Sequence, residues 1–538
     1  MDRSRDTLHT RLLIWLGLTA VLGFNCFVRW RLLGMPLERD EGEYAYAGQL
    51  ILQGVPPYQL AWNMKFPGTY FAYAVLMKLF GETPQGIHFG ILLITSVSAI
   101  LIFLIGREWL GAPGGLMAAA AFTGLSAVPM TYGLAGHATH FIVLFTCAGV
   151  FALLKAEKKS SLAWMTASGI SFGIAILMKQ HAVAFPMFIA LWLAWEKRTQ
   201  RITWKKIARP LAAFGIGCAV PLLVMCAVLA CAGVWGKFWF WTIDYARQYV
   251  SLFPLGALPR QFVTGFAPIF ETSAWLWLLG VAGLLLVLGK NQRHRPIALA
   301  GVLFLAGMAA TVPGFYFRGH FFLMAIPGVA LLIAAAISVL SEKFKDIPFA
   351  RMAPAALFCL ALAALIADNS EIWFKQSPFE VSRSLYDLSP FPESTEIANY
   401  LQSHTSPDDT IAVLGSEPQI FFLAHRRSAS GYIYMYPMTE PEPLAPQMQS
   451  DFINEIENAK PKYVVFVNLA SSWLSVIYPN GPPEHPIPDW WHGYSQNYEL
   501  VGVVNMAEGK PSQSLWDEQV AGQAPLPSEE ITVFRRRS

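Results

Sequence analysis

The sequence predicts a polytopic α-helical membrane protein that ends in a smaller extracytoplasmic α/β domain. Of its 538 residues, 54% are hydrophobic and only 14% are charged, a balance that soluble proteins of this length rarely show. Apolar segments recur up to residue 367, whereas residues 368–538 contain more charge, more proline and alternating strand and helix patterns. We therefore predict a transmembrane domain over 1–367, with a long first outer loop at 34–86, and an α/β domain over 368–538.

About eleven apolar segments are long enough to approach the ~30 Å of hydrocarbon in a bilayer. The first follows a basic start and ends at Arg29 to Arg31 without a small-residue cleavage site, which favours a retained anchor over a signal peptide. The predicted spans lie near 11–33, 87–105, 114–131, 135–154, 162–178, 182–195, 210–233, 271–289, 296–312, 321–340 and 353–367.

The loops predict the orientation of these spans. With a cytoplasmic N-terminus, every dense Lys/Arg cluster lies inside, as the positive-inside rule requires. The clusters fall within 155–159, 197–209, 290–295 and 343–351. The loop 34–86 and the tail after residue 368 then lie outside. The net charge of +3 gives no reason to expect a nucleic-acid partner.

The tail combines short apolar strands with amphipathic helices. Strands are predicted at 411–414, 462–467 and 531–534, and helices at 394–403, 417–425 and 451–460. This alternation predicts a small α/β domain with a largely parallel sheet.

A dense group of charges, Glu38 to Glu43, follows the first span directly. Such charges must be solvated, paired with opposite charges or part of a functional site, because ionised side chains gain nothing from contact with hydrocarbon. Asp40 and Glu41 would begin a helix, where the helix dipole favours carboxylates, so helix capping is one interpretation. The other is a general base or electrostatic stabiliser for transfer onto a hydroxyl or amine. Asp40 is the first catalytic candidate and Glu41 the second.

Three further residues could hold a phosphate at the outer surface. Lys65 precedes a Pro-Gly turn, where a lysine can serve as a point charge for a lipid phosphate or can simply snorkel to the interface. Arg318 offers a planar fork suited to phosphate, and His320 lies beside it. For these two residues an interfacial anchor is the alternative.

The remaining candidates complete one external cavity. His137 and His140 have the i,i+3 spacing of metal ligands, but no third ligand is apparent. We therefore predict no metal site and no cofactor, and a divalent metal is the less favoured alternative. The further cavity residues are Glu43, Tyr44, His137, His140, Lys179 and Asp244.

These motifs resemble those of the GT-C superfamily of membrane glycosyltransferases, and within it the protein O-mannosyltransferase and lipid A aminoarabinose transferase branch, glycosyltransferase family 39. The likeness is strongest between Glu38 and Lys155. It rests on Arg39-Asp40-Glu41-Gly42-Glu43-Tyr44-Ala45-Tyr46, Lys65-Phe66-Pro67-Gly68, Leu104-Ile105-Gly106-Arg107, Arg318-Gly319-His320-Phe321, Asp408-Asp409-Thr410-Ile411 and Gly415-Ser416-Glu417-Pro418.

The resemblance implies an inverting transfer of a sugar from a polyprenyl-monophosphate donor, on the periplasmic side of a bacterial inner membrane. It places the family's catalytic carboxylate at Asp40 and its phosphate-contacting lysine at Lys65. The acceptor would be a glycan, a lipid or a protein. Two departures stand out: Lys65-Phe66-Pro67 replaces the common Lys-Pro-Pro, and His137 and His140 occupy a region where relatives often have an acidic or amide residue.

A polytopic lipid or sugar transporter, or a flippase, is the alternative function. Transporters usually have repeated halves and charges near the bilayer midplane, whereas these charges collect at one face and no repeat is apparent. A non-enzymatic role in envelope polysaccharide assembly is a third hypothesis. The sequence does not identify the sugar, the acceptor or the oligomeric state.

Overall fold

The computed structural model describes residues 8–287, 295–347, 349–474, 486–507, 511–520 and 530–537. Its larger part is helical. The helices of this part are α1 Leu8–Arg31, α2 Arg39–Leu52, α3 Gly68–Phe80, α4 Pro84–Ser126, α5 Ala138–Lys159, α6 Leu162–Met178, α7 Ala184–Thr199, α8 Trp204–Cys231, α9 Trp235–Trp239, α10 Ala246–Tyr249, α11 Leu258–Glu271, α12 Ala274–Val287, α13 Arg295–Thr311, α14 Ile326–Lys343 and α15 Ala353–Asp368.

Each predicted span coincides with one of these helices or with half of one. Among the described residues, six helices are long and apolar enough to cross a bilayer, or seven if the bent pair Leu255–Glu271 and Ala274–Leu286 forms one span. Helices α6 and α13 are apolar but shorter, so the number of spans stays a prediction. Residues 288 and 289 of one predicted span, and the basic residues Lys290 and Arg293, lie outside the described residues.

Helix α4 contains two predicted spans joined at a kink. Gly111 breaks its backbone with φ of 79°, a left-handed conformation that glycine adopts at low cost. Pro113 follows and cannot continue the hydrogen-bond ladder. The 43 residues of α4 would reach about 64 Å as one straight helix at 1.5 Å per residue, which is about twice the hydrocarbon thickness.

The first outer loop folds into two short helices, α2 and α3, that pack on each other. Helix α2 also packs on the helix Gln419–Ala424 of the tail. Gly42 permits this approach, since a Cβ there would lie 2.6 Å from the backbone nitrogen of Gln419. The tail is therefore docked on the segment that carries the charged cluster.

The tail contains helices α16 Pro378–Tyr386, α17 Phe391–His404, α18 Gln419–Ala424, α19 Tyr436–Thr439, α20 Ala445–Ala459 and α21 Pro486–Tyr494. Its strands are β1 Thr410–Leu414, β2 Arg427–Ser428, β3 Tyr463–Asn468, β4 Tyr498–Asn505, β5 Gln513–Trp516 and β6 Glu530–Arg536. The three predicted strands and three predicted helices of the tail are present, as β1, β3 and β6 and as α17, α18 and α20.

The prediction of a largely parallel sheet is wrong. The sheet has the order β2-β1-β3-β6-β4-β5. Strand β1 pairs in parallel with β2 and β3, whereas β6 is antiparallel to both β3 and β4, and β4 is antiparallel to β5. Helix and strand alternate as far as β4, but the last three strands form an antiparallel half of the sheet.

Candidate functional site

The charged cluster begins helix α2 through a reciprocal cap. The Glu38 carboxylate accepts from the Glu41 backbone N–H at 2.8 Å, and the Glu41 carboxylate accepts from the Glu38 N–H at 3.2 Å. This capping box satisfies two backbone donors at the start of the helix. It also places Asp40 in the first turn, between the two capping residues.

Glu41 is fully buried and points away from the solvent. Its carboxylate also bonds His88 Nε2 at 2.9 Å and the backbone N–H of Gly136. It therefore ties α2 to α4 and to the turn before α5. These bonds hold Glu41, the second catalytic candidate, inside the protein. They also fix the first turn of α2, which carries Asp40.

Lys65 joins Asp40 to Glu43. Its Nζ lies 2.8 Å from Asp40 Oδ1 and 2.6 Å from Glu43 Oε2, and 4.6 Å from the ring centre of Tyr44. The other Glu43 oxygen accepts from the Tyr70 hydroxyl at 2.6 Å. Glu43 and Tyr44 thus both contact the ammonium group of Lys65. The other carboxylate oxygen of Asp40, Oδ2, lies 3.9 Å from His137 Nδ1.

A cavity of about 630 Å³, called the first cavity here, opens beside this ion pair. Four cationic side chains line it, those of Lys65, Lys179, Arg247 and Arg318, and Asp40 lines it with them. Val183 and Met187 line the same cavity and are 54% and 51% exposed. One end of the cavity is therefore lined by cationic side chains. Its opening is lined by apolar side chains.

Lys179 and Arg318 differ from Lys65 in their partners. Within the described residues, no carboxylate forms an ion pair with either of them. Lys179 Nζ lies 4.1 Å from the ring centre of Phe321, and the Arg318 guanidinium lies 5.6 Å from that of Tyr316. Burial lowers the pKa of Lys179 to about 7 although Asp40 opposes this. Both side chains can therefore bind an anion.

Asp40 is ionised at neutral pH. Burial alone would raise the pKa of its carboxyl group, but the positive charge of Lys65, with that of Lys179, holds that pKa well below its usual range. A partly buried carboxylate with so low a pKa is a weak base toward a free hydroxyl. It can still orient an acceptor hydroxyl, take its proton once the oxygen gains positive charge on bonding to carbon, and stabilise positive charge.

His137 and His320 stack on each other beside Asp40, with ring centres 4.1 Å apart and an angle of 13°. Burial lowers the pKa of His137 to about 4 and that of His320 well below its usual range, so both rings are neutral. One ligand atom each from Asp40, His137 and His320 lies within 4.8 Å of the others. This trio could hold a divalent ion. It contains His137 but not His140, and its other two members are Asp40 and His320.

Six of the predicted site residues do not line the first cavity, namely Glu41, Glu43, Tyr44, His137, His140 and Asp244. The first four contact or adjoin Asp40 and Lys65 as described above, which leaves His140 and Asp244. His140 Nε2 bonds the backbone carbonyl of Ala135 at 3.0 Å inside the protein. Asp244 lies in a π-helix, Phe240–Tyr245, whose residues Ile243 and Tyr245 line the cavity while Asp244 does not.

Several lining residues were not found from the sequence. Tyr245, Tyr249, Tyr434, Tyr436 and Glu440 line the first cavity. The Tyr245 hydroxyl donates to Glu440 at 2.7 Å, so the segment between α9 and α10 contacts the tail here. Tyr434-Met435-Tyr436 carries no local signal of a site, because it reaches the cavity only through the docking of the tail.

Comparison with known proteins gives one partial sequence match. Residues 65–235 match the family model described as dolichyl-phosphate-mannose-protein mannosyltransferase. The match covers Lys65 and Lys179 and ends before Arg318. No curated protein matches the chain by sequence.

Solved structures match almost the whole chain. ArnT from Cupriavidus metallidurans, in a structure with undecaprenyl phosphate, has a TM-score of 0.59 at 14% identity, with 97% of each chain covered. The chain has the GT-C fold. The archaeal oligosaccharyltransferase AglB from Archaeoglobus fulgidus, in complex with an inhibitory peptide and a dolichol-phosphate, has a TM-score of 0.55 at 11% identity, with 95% of this chain and 75% of that chain covered.

A third structure, the arabinofuranosyltransferase AftD from Mycobacteria, has a TM-score of 0.53 at 14% identity and covers 98% of this chain and 40% of that chain. The predicted resemblance to GT-C glycosyltransferases is therefore confirmed, as is the fold class of a helical membrane protein with a C-terminal α/β domain. At these identities the structural likeness establishes the fold, and the activity needs an argument from the site.

Proposed function

We propose that this GT-C protein is an inverting glycosyltransferase that moves a sugar from a polyprenyl-monophosphate donor to an acceptor on the periplasmic side of a bacterial inner membrane. One observation carries the proposal. The ionised Asp40 faces two cations without carboxylate partners, Lys179 and Arg318, in a cavity with an apolar mouth. A lipid phosphate and a reacting sugar need this combination.

The first cavity suits the donor's phosphate and its lipid. A phosphodiester carries one negative charge, which Lys179 and Arg318 can meet with charge-assisted hydrogen bonds. The exposed Val183 and Met187 extend the cavity toward the hydrocarbon, where a polyprenyl chain would lie. The structures of ArnT with undecaprenyl phosphate and of AglB with a dolichol-phosphate support a donor of this chemistry.

Lys65 has two functions in this proposal. It lines the first cavity and adds positive charge near the phosphate, as the family resemblance implies. It also fixes Asp40 Oδ1 at 2.8 Å, which leaves Oδ2 to face an acceptor. Glu43 balances the remaining charge, so Lys65 stays protonated while it orients the catalytic carboxylate.

The reaction is a single displacement at the anomeric carbon. The acceptor oxygen bonds to C1 as the bond between C1 and the phosphate oxygen breaks. The acceptor proton passes to Asp40 Oδ2 and then to water, and polyprenyl phosphate leaves with its charge held by Lys179 and Arg318. Phosphate is a stable leaving group, so no protein acid has to protonate it. Attack from the face opposite the phosphate inverts the configuration at C1.

Asp40, His137 and His320 would hold a divalent ion if one takes part, and such an ion would add positive charge beside the leaving phosphate. Transfer measured with a chelator, and then with added Zn²⁺ or Mn²⁺, determines whether it does.

The test is turnover by the purified full chain in lipid nanodiscs, with a panel of polyprenyl-phosphate sugars and a membrane glycolipid extract as acceptor. Asp40→Asn should reduce transfer by about 10²–10⁴-fold, the usual range for a general base, while polyprenyl phosphate still binds. Asp409→Asn is the matched control, because Asp409 forms a comparable 2.9 Å pair with Lys462 on the surface. Full activity of Asp40→Asn would refute the catalytic assignment.

A second assay, with the full chain in sealed vesicles, separates transfer from transport. A flippase would move the labelled lipid across a sealed vesicle without releasing polyprenyl phosphate. Release of polyprenyl phosphate that depends on an acceptor supports a transferase, and movement without release would favour the alternative.

A further inference from the structure

A second cavity of about 400 Å³ borders the first. The two share Asp40, Tyr316, Arg318, His320 and Tyr436. The catalytic carboxylate therefore lies where the cavities meet. Lys65, Lys179 and Arg247 line only the first, so three of the four cations of the first cavity belong to that side alone.

Buried polar atoms without partners line the second cavity. His137 is 3% exposed, and neither of its ring nitrogens has a hydrogen-bond partner among the described residues. The nearest carboxylate oxygens lie 3.7 and 3.9 Å from its Nδ1, on Glu38 and Asp40. The hydroxyl of Tyr386 is also buried and unpartnered. Because buried polar groups are nearly always hydrogen-bonded, these atoms indicate a polar ligand.

Aromatic rings form one wall of the second cavity. Tyr132 and Tyr386 are stacked with ring centres 5.3 Å apart, and Phe391 meets Tyr386 edge-on at 5.1 Å. The neutral polar residues Gln261 and Thr264 also line it. Flat apolar surface next to a few neutral donors and acceptors suits a ligand with an apolar face and hydroxyl groups at its edge.

The charges at the second cavity disfavour an anionic ligand. The carboxylate of Asp40 lines it, beside the carboxyl group of Glu38, whose pKa is raised well above its usual range by burial and by the nearby Asp40 and Glu41. Arg39 lines it too, but its guanidinium is held by Glu417 Oε1 at 2.6 Å and by the backbone carbonyl of Ser416. Arg318 is shared with the first cavity, where the donor phosphate would engage it.

We propose that the second cavity is the acceptor site and that the acceptor is a neutral sugar, with its ring against Tyr132 and Tyr386 and its reacting hydroxyl directed at Asp40. This inference rests on the proposed function and names its acceptor class. His137 and the Tyr386 hydroxyl bond neighbouring hydroxyls of the same sugar and position it. A phosphate acceptor would face the negative charge of Asp40.

The test measures ligand binding to the full chain in nanodiscs by saturation-transfer NMR. The probes are neutral methyl glycosides of common hexoses, a Ser/Thr-containing hexapeptide and glucosamine 1-phosphate. Binding of undecaprenyl phosphate is measured on the same samples. The glycosides should bind and the other two probes should not.

Tyr386→Ala removes the aromatic wall and should weaken glycoside binding about tenfold, and Tyr386→Phe removes only the hydroxyl and should weaken it about fivefold. Tyr400→Phe is the matched control, since its hydroxyl bonds Asp517 on the outer surface. Undecaprenyl phosphate should bind equally to all variants. If Tyr386→Ala fails to fold, Tyr386→Phe still tests the site.

The outcomes separate the two proposals. If undecaprenyl phosphate binds but no glycoside does, or if both Tyr386 variants bind glycosides like the wild type, the acceptor assignment is overturned. Binding of the peptide or of glucosamine 1-phosphate in place of glycosides overturns it in favour of a protein or a phosphorylated acceptor. If undecaprenyl phosphate itself does not bind to the wild type, the donor part of the proposed function fails, whatever the glycosides do.

Discussion

Two aspartate–lysine pairs of almost equal length lie in different surroundings. Asp40 and Lys65 are 2.8 Å apart, with side chains 18% and 11% exposed, whereas Asp409 and Lys462 are 2.9 Å apart, with side chains 29% and 44% exposed. The surface pair is solvated and complete in itself. The cavity pair also contacts Glu43 and faces two unpaired cations. The distance within an ion pair therefore says little about its role. The charges around the pair say more.

Removing the lysine of each pair should separate the two cases most strongly. Lys65→Met leaves the buried carboxylate of Glu43 and the partly buried carboxylate of Asp40 without their shared cation. Removing one partner of a buried pair costs about 3–5 kcal/mol. Lys462→Met should cost less than about 1 kcal/mol, as for exposed pairs. Thermal unfolding in nanodiscs, followed by intrinsic fluorescence, measures both. Equal shifts in the two midpoints would show that the buried surroundings add nothing.

A smaller effect is expected from the pH dependence of Lys179. Burial lowers its pKa to about 7, so Lys179 is charged below pH 7 and loses its charge as the pH rises through that value. Affinity for undecaprenyl phosphate should therefore fall by about tenfold between pH 6 and pH 8 relative to Lys179→Arg, which stays charged. The phosphate's own titration is common to both proteins and cancels. Parallel pH profiles would argue against a Lys179–phosphate contact.

The smallest effect is expected at Asp244. Its side chain does not line the first cavity, so Asp244→Asn should change turnover by less than about twofold, as surface substitutions usually do. Steady-state transfer in the same nanodisc assay measures this. A loss comparable to that of Asp40→Asn would mean that Asp244 reaches the substrate.

The sequence predicted the helices and the centre of the site well. Asp40, Lys65, Lys179, Arg318 and His320 were expected to share one external cavity, and the structure places them around the first cavity. They were recognisable because charges next to apolar spans are costly unless they are paired or used. The roles assigned to them remain proposals.

Other parts could not be predicted, for physical reasons. Tyr436 and Glu440 lie far along the chain from Asp40, and only the packing of the tail on α2 brings them to the cavity. The position of Asp244 depends on a π-helix, whose i→i+5 bonds shift side chains relative to an ordinary helical pattern. Strand β6 enters the sheet between β3 and β4, a pairing that strand composition does not encode.

The most direct test of the account is an experimental structure of the full chain with undecaprenyl phosphate bound. We expect phosphate oxygens within about 3 Å of Lys179 Nζ and of the Arg318 guanidinium, the lipid leaving past Val183 and Met187, and Asp40 Oδ2 open to the second cavity. A phosphate held away from both cations, with Asp40 out of reach of the anomeric carbon, would contradict it.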